Sequence, residues 1–319
     1  MLLRNKEIYL KFIFYFLIKQ KFESVNLLMK QVNPIEIYPV GSRGVIFSFY
    51  DDIMGDTTLC YMIKAEKYNF LIDTYLGPKR MEPIKNYMNK QNIAEKPLII
   101  IYSHAHWDHY RGTSAFKPLL IISHNICNEI MHQNAKNELE KKESPGESDI
   151  IIKYPTITFE TNLIFAESKI KLRYAPGHTN DSILISDEID DILIAGDNIE
   201  YPIPYLQNID LNTYCSTLQS ILDLNPKFII PGHGSIQENT DLVKSNLKYL
   251  QDYLKDSLNF EKMPIDVLKQ HIYNLKLLSD IYKKSNRKEG DKVFKKSLSL
   301  LKLLPDTEKE EIFKVLNKK

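Results

Sequence analysis

One stretch constrains this chain more than any other: Ser103-His104-Ala105-His106-Trp107-Asp108-His109. It follows Pro97-Leu98-Ile99-Ile100-Ile101-Tyr102, an apolar, β-branched run that reads as a buried strand. Three of the chain's eight histidines, with an aspartate between the second and third, fall in six residues where that strand gives way to a loop. In a chain of 319 residues, chance is a poor explanation for such a window. Neutral imidazole and carboxylate are the ligands that borderline divalent metals prefer. His104 and His106 are two apart, so an extended backbone points them the same way. Asp108 and His109 come after the chain has begun to turn, where they can serve a second metal beside the first.

Three later points repeat the pattern. His178 stands in Ala175-Pro176-Gly177-His178-Thr179, Asp197 in Ala195-Gly196-Asp197-Asn198, and His233 in Pro231-Gly232-His233-Gly234. Each follows an apolar strand and sits on a glycine-containing loop, where the backbone can turn sharply and approach a buried object. Strand ends converging on one rim are where such folds build sites.

The rest of the chain fits around these points. Strands are expected at 35–40, 45–50, 57–64 and 68–74, then a helix at 79–90, the buried strand and a short helix over 111–116. A strand at 119–123 and a helix at 125–142 follow. Strands near 156–159, 163–165, 170–175, 182–186 and 191–195 lead to a helix at 213–224, stopped by Asn225-Pro226, and a last strand at 227–230. This order predicts an α/β fold with two sheets and helices outside. From about residue 239 strand signals vanish, and helices are expected at 240–258, 264–284, 288–303 and 306–317. Three parts result: an apolar N-terminal segment, 1–32, that need not belong to the core; a two-sheet α/β domain, 33–238, that carries the histidine and aspartate motifs; and a helical C-terminal extension, 239–319. Ile8 to Ile18 is too short to span a bilayer comfortably, and Met29 could itself be a start. Cys60, Cys127 and Cys215 are few, odd in number and outside any CxxC pair, which points to a reducing, cytoplasmic setting and away from cysteine ligation. A net charge of +1 makes no global case for nucleic acid or a membrane surface.

The set His104-Ala105-His106-Trp107-Asp108-His109, His178, Asp197 and His233 resembles the metallo-β-lactamase-fold hydrolases over about residues 35–238. The resemblance implies a four-layer αββα sandwich with a dinuclear centre at one edge. By that resemblance one metal takes His104, His106 and His178; the other takes Asp108, His109 and His233; Asp197 bridges both. Asp73 resembles the family's early aspartate, which supports the metal loop from behind. The implied cofactors are two divalent ions, zinc first, with iron or manganese accepted by the same ligands. The implied reaction is hydrolysis of an ester, thioester, lactone or phosphodiester by a metal-bridging hydroxide, with Asp108 orienting it or carrying a proton.

A bridging aspartate is generally absent from the β-lactam-cleaving members, so antibiotic hydrolysis is disfavoured, and the likeness runs to glyoxalase II-like, lactonase-like and phosphodiesterase-like members. An iron-dependent persulfide dioxygenase on the same fold is the alternative. Tyr201 and Tyr205, close after Asp197, are candidates to line the pocket and donate to a developing oxyanion. His124, His132 and His271 are expected to be surface or packing residues, and Cys127 and Cys215 core. Over 241–319 there are 18 Lys or Arg against 12 Asp or Glu, a basic helical face facing solvent. Leu268, Ile272, Leu275, Leu278 and Tyr282 share one side of a helix, which suggests a lid or a homodimer contact. The expected partner is a small-molecule substrate.

Overall fold

A computed structural model of the chain describes residues 35–51, 56–140 and 149–317. The apolar segment 1–32 and Met29 lie outside the described residues. Seven strands form the first sheet in chain order: β1 (Ile35–Val40), β2 (Gly44–Asp51), β3 (Asp56–Lys64), β4 (Asn69–Ile72), β5 (Leu98–Ile101), β6 (Leu120–His124) and β7 (Ile157–Phe159). The first four pair antiparallel and β4 to β7 pair parallel. The second sheet runs β12-β11-β10-β9-β8, from β8 (Asn162–Phe165), β9 (Ile170–Tyr174), β10 (Ile183–Asp187), β11 (Ile192–Gly196) and β12 (Phe228–Pro231).

The sandwich follows from side chains alternating across each strand. Phe47, Met62, Leu71 and Ile100 face outward and pack with Ile84 and Met88 of α1 (Glu82–Lys90) and Cys127 and Met131 of α3 (Asn125–Glu140). Their neighbours Ile46, Ile63, Phe70 and Ile99 face inward and meet Leu172, Ile185 and Ile194 of the second sheet. The second sheet's other face, with Leu184, Leu193 and Ile229, packs on α4 (Leu211–Leu224) and α5 (Asp241–Leu254) through Tyr214, Leu218, Val243 and Leu250. Helices, sheet, sheet and helices make the expected αββα order. A short helix, α2 (Trp107–Tyr110), lies at the edge directly after the histidine loop begins.

The C-terminal helices α6 (Ile265–Ser285), α7 (Arg287–Leu300) and α8 (Asp306–Asn317) build a fourth cluster of their own around Ile272, Leu275, Leu300, Ile312 and Val315. The change of composition near residue 239 does not coincide with a change of core, because α5 packs on the second sheet. The apolar face of α6 picked out by its spacing is consumed within the chain: Leu268, Ile272, Leu275 and Leu278 are all buried. Among the described residues no helix is long and apolar enough to cross a membrane. The three cysteines are free; Cys60 and Cys127 are buried, and Cys215 is half-buried.

Candidate metal centre

Four loops and a short helix bring the ligand-type residues to one edge of the sandwich. The loop after β5 carries His104 and His106, and α2 carries Asp108 and His109. His178 follows β9, Asp197 follows β11 and His233 follows β12. Backbone hydrogen bonds stitch the two sheets together at this edge. Leu59 N donates to Gly232 O at 2.8 Å, and Ile183 N donates to Ser103 O at 3.1 Å. The Ala105 N–H is held by the buried Asp181 carboxylate at 2.7 Å. Tyr214, buried on α4, donates its hydroxyl to Asn198 O at 3.1 Å, and Asn198 Oδ1 accepts from His178 N at 3.0 Å.

The side chains form two groups, each able to hold a cation: His104, His106, His178 and Asp197, and beside them Asp108, His109 and His233. In the first group His104 Nε2 lies 2.7 Å from His106 Nδ1, which lies 3.2 Å from His178 Nε2. In the second, His233 Nε2 lies 3.3 Å and His109 Nε2 3.8 Å from Asp108 Oδ2. Asp197 stands between them. Its Oδ2 is 3.5 Å from both His104 Nε2 and His178 Nε2 and 3.6 Å from His233 Nε2, and its Oδ1 is 3.5 Å from His109 Nε2.

Two observations show that this donor set fits metal ions. His109 Nε2 and Asp197 Oδ1 are buried polar atoms without a hydrogen-bond partner, an arrangement that is costly unless something else satisfies them. The electrostatics also favour a cation. Burial opposes charging of His109, yet Asp197, Asp73 and Asp108 together push it up to about 10. Burial likewise opposes ionisation of Asp197, but His233, His109 and His104 hold its carboxyl well below the usual range. Burial and the neighbouring His109 push His104 down, keeping its imidazole neutral, the form that coordinates.

Asp73 lies behind His109, on the side away from the two groups. Its Oδ2 lies 2.8 Å from His109 Nδ1 and accepts from Ser103 Oγ at 2.7 Å, while Oδ1 accepts from Ser103 N at 2.8 Å. Its φ of 60° is the left-handed conformation an aspartate can adopt. The tyrosines fare differently. Tyr201 is 78% exposed, and Tyr205 packs edge-on against Tyr273 with the C-terminal helices. From the same segment Gln207 reaches the ligands instead, its Nε2 3.5 Å from His178 Nε2. Glu200, also unremarked in the sequence, places Oε2 3.3 Å from His178 Nδ1. No local pattern marks either residue; only the packing of distant helices shows where they point. Of the other histidines, His124 is buried and stacked on Tyr174, His132 is exposed and stacked on Tyr154, and His271 is buried against Tyr249.

A two-position histidine–carboxylate centre on the edge of an αββα sandwich defines the class. The family model described as "Metallo-beta-lactamase superfamily" matches residues 53–233, and the chain belongs to that superfamily. Among curated proteins it is 27% identical over 185 residues to a beta-lactamase-like protein 2 homolog of Caenorhabditis elegans, covering 57% of this chain and 56% of that protein. It is 21% identical over 212 residues to the human acyl-coenzyme A thioesterase MBLAC2, covering 58% of this chain and 75% of that one. The chain thus spans little more than half the length of the first of these relatives. Among solved structures, the metallo-beta-lactamase from Pontibacter korlensis superposes with a TM-score of 0.56 at 20% identity, covering 68% of this chain and 99% of that one. That from Hirschia baltica gives 0.53 at 18% identity, over 68% and 98%. At such identities the structures establish the shared fold. The superfamily and the site together make this edge of the chain a candidate metal centre of the metallo-beta-lactamase type.

Proposed function

We propose that the protein is a dinuclear hydrolase acting on an activated carbonyl, with an acyl thioester as the favoured substrate. The observation that carries the dinuclear part is Asp197, whose carboxylate lies within 3.6 Å of histidines from both groups, His104 and His178 on one side and His109 and His233 on the other. His104, His106 and His178 would hold one ion, and Asp108, His109 and His233 the other, with Asp197 shared. When bound, two dications lower the pKa of a coordinated water toward neutrality and polarise a substrate carbonyl.

The chain's own residues supply the rest. Asp73 keeps a proton on His109 Nδ1, so the lone pair of Nε2 faces the site. Asp108 Oδ2, beside both His109 and His233, is placed to take the proton leaving the attacking water and return it to the departing group. A thiol leaving group suits such a modest acid, since with a pKa of about 8.5 it departs as thiolate near neutral pH without full protonation. An alkoxide or amine would demand more. The burial of His104, Asp108, His109, His178 and Asp197 excludes bulk water, which strengthens these interactions. The acyl-coenzyme A thioesterase activity in the name of the human relative supports the choice of bond.

The test is a substrate panel on zinc-loaded protein: acyl-CoA thioesters of several chain lengths, oxygen esters, lactones and an aryl phosphodiester. Release of free thiol from an acyl-CoA with kcat/KM at least about 10²-fold above the phosphodiester is expected; this margin corresponds to about 2.7 kcal/mol of transition-state preference. Turnover confined to the phosphodiester would overturn the choice of bond.

A further inference from the structure

His104, His109, His178 and His233 all aim Nε2 at the centre, which requires their single proton on Nδ1. Each Nδ1 has a side-chain oxygen against it: Ser103 Oγ at 3.0 Å for His104, Asp73 Oδ2 at 2.8 Å for His109, Glu200 Oε2 at 3.3 Å for His178 and Thr58 Oγ1 at 3.4 Å for His233. Two of the four are carboxylates, one behind each metal position. We propose that Glu200 is the positioning residue of His178, the counterpart of Asp73 on the other ion, and that the C-terminal helices hold it in place. This rests on the dinuclear reading of the site.

The support around Glu200 is specific. Its backbone is clamped at both ends by Asn246, a fully buried residue of α5: Asn246 Oδ1 accepts from Glu200 N at 3.0 Å, and Asn246 Nδ2 donates to Glu200 O at 2.9 Å. Its carboxylate is fixed from one side by the Tyr205 N–H at 2.6 Å. From α6, Asn274 accepts from Leu206 N at 3.0 Å and donates to Pro204 O at 2.8 Å, and Gln270 donates to Ile203 O. A carboxylate as buried as Glu200 is costly unless partners satisfy it. Tyr205 supplies one, and His178 Nδ1 stands 3.3 Å away; that ring nitrogen is buried and makes no hydrogen bond, so a proton on it has Glu200 as its nearby acceptor. A carboxylate against Nδ1 fixes the tautomer and makes Nε2 more basic, hence a stronger ligand. Residues far along the chain thereby become part of the metal site.

The alternative is that Glu200 only closes the turn to Tyr205. Its loss would then lower the melting temperature and leave ion affinity alone. The experiment uses the full chain, stripped of metal and titrated with Co(II), with binding followed by visible absorption and melting measured in the stripped state. Wild type should bind two equivalents. Glu200→Ala should weaken one equivalent by about 10–100-fold and leave the other unchanged. Glu200→Gln should recover part of the loss, because its amide oxygen still accepts from Nδ1–H. Asn246→Ala should weaken the same equivalent by a smaller factor. Two equivalents bound as tightly by Glu200→Ala as by wild type would overturn the proposal for Glu200 and leave the dinuclear reading intact. A wild type that binds no cobalt would overturn both. Should Glu200→Ala fail to fold, Glu200→Gln decides: one equivalent bound more weakly than in wild type supports the proposal, and two equivalents bound as tightly as in wild type end it.

Discussion

Gly232 shows how closely the ligands are packed. A Cβ at this position would lie 2.1 Å from Asp197 Oδ1 and 3.0 Å from His109 Cε1. The loop after β12 therefore carries His233 into the site only because the residue before it has no side chain. Gly232→Ala should push Asp197 off its position between the two groups. A displacement of about 1 Å in such a centre costs on the order of 10²-fold in rate. Activity should fall at least that far while the circular dichroism spectrum stays that of wild type; activity within a few-fold of wild type would show that the site tolerates the shift. At this scale the candidate ligands are legible in the sequence and their supports only in part. His104 to His109 declare themselves because they crowd one window after an apolar strand, and His178, Asp197 and His233 because each repeats that setting. Asp73 was reachable only through family resemblance. Glu200 and Gln207 carry no local signal, whereas Tyr201 and Tyr205 stand out in the sequence as aromatic residues close after Asp197. What separates the two pairs is packing: α6 turns Tyr205 toward Tyr273, while Asn246 and Asn274 fix the backbone that aims Glu200 and Gln207.

Among the elements, the strands were readable because their residues alternate between two buried faces or run unbroken between them. Phe70 and Leu71 are adjacent, both fully buried, and belong to different cores. The C-terminal helices were legible as helices, but not as part of the site. The contacts that make them so join residues 46 and 68 positions apart, through asparagines that periodicity would assign to an ordinary packing face. His271 on α6 gives this region a pH signature. Burial, with a smaller push from Lys296, lowers it to about 3 from an ordinary 6.5. Its partner is the Tyr249 hydroxyl, 2.8 Å from Nδ1. Below pH 6.5 the unfolded chain gains a proton there that the folded chain refuses until about pH 3, so this residue costs stability as pH falls through that window. The cost reaches about 2 kcal/mol near pH 5. In His271→Asn, whose Oδ1 can replace Nδ1 as acceptor, denaturant unfolding should show a stability difference from wild type that shifts by this amount in the variant's favour between about pH 7 and pH 5. A pH-independent difference would mean that His271 titrates normally in the folded chain.

For the molecule as a whole, the site is both a functional edge and a seam. The loops that carry His104, His178 and His233 also carry the hydrogen bonds joining the two sheets. Ions bound there should therefore hold the sandwich together as well as serve catalysis. An ion present at about 100 times its dissociation constant adds about 2.7 kcal/mol to folding. For a domain of this size that corresponds to about 5–10 °C in melting temperature per ion. Stripping the protein with a chelator should lower its melting temperature by at least that much, and zinc should restore it; an unchanged melting curve would separate the seam from the site.

The most direct test of the central claim is the metal content of protein purified without added metal, measured by plasma mass spectrometry on wild type and Asp197→Ala side by side. The geometry predicts about two divalent ions per wild-type chain, chiefly zinc, and a clear loss when the carboxylate between the two groups is removed. One iron per chain would point to sulfur or oxygen chemistry on the same fold. No bound metal in either protein would contradict the reading of this edge as a dinuclear centre.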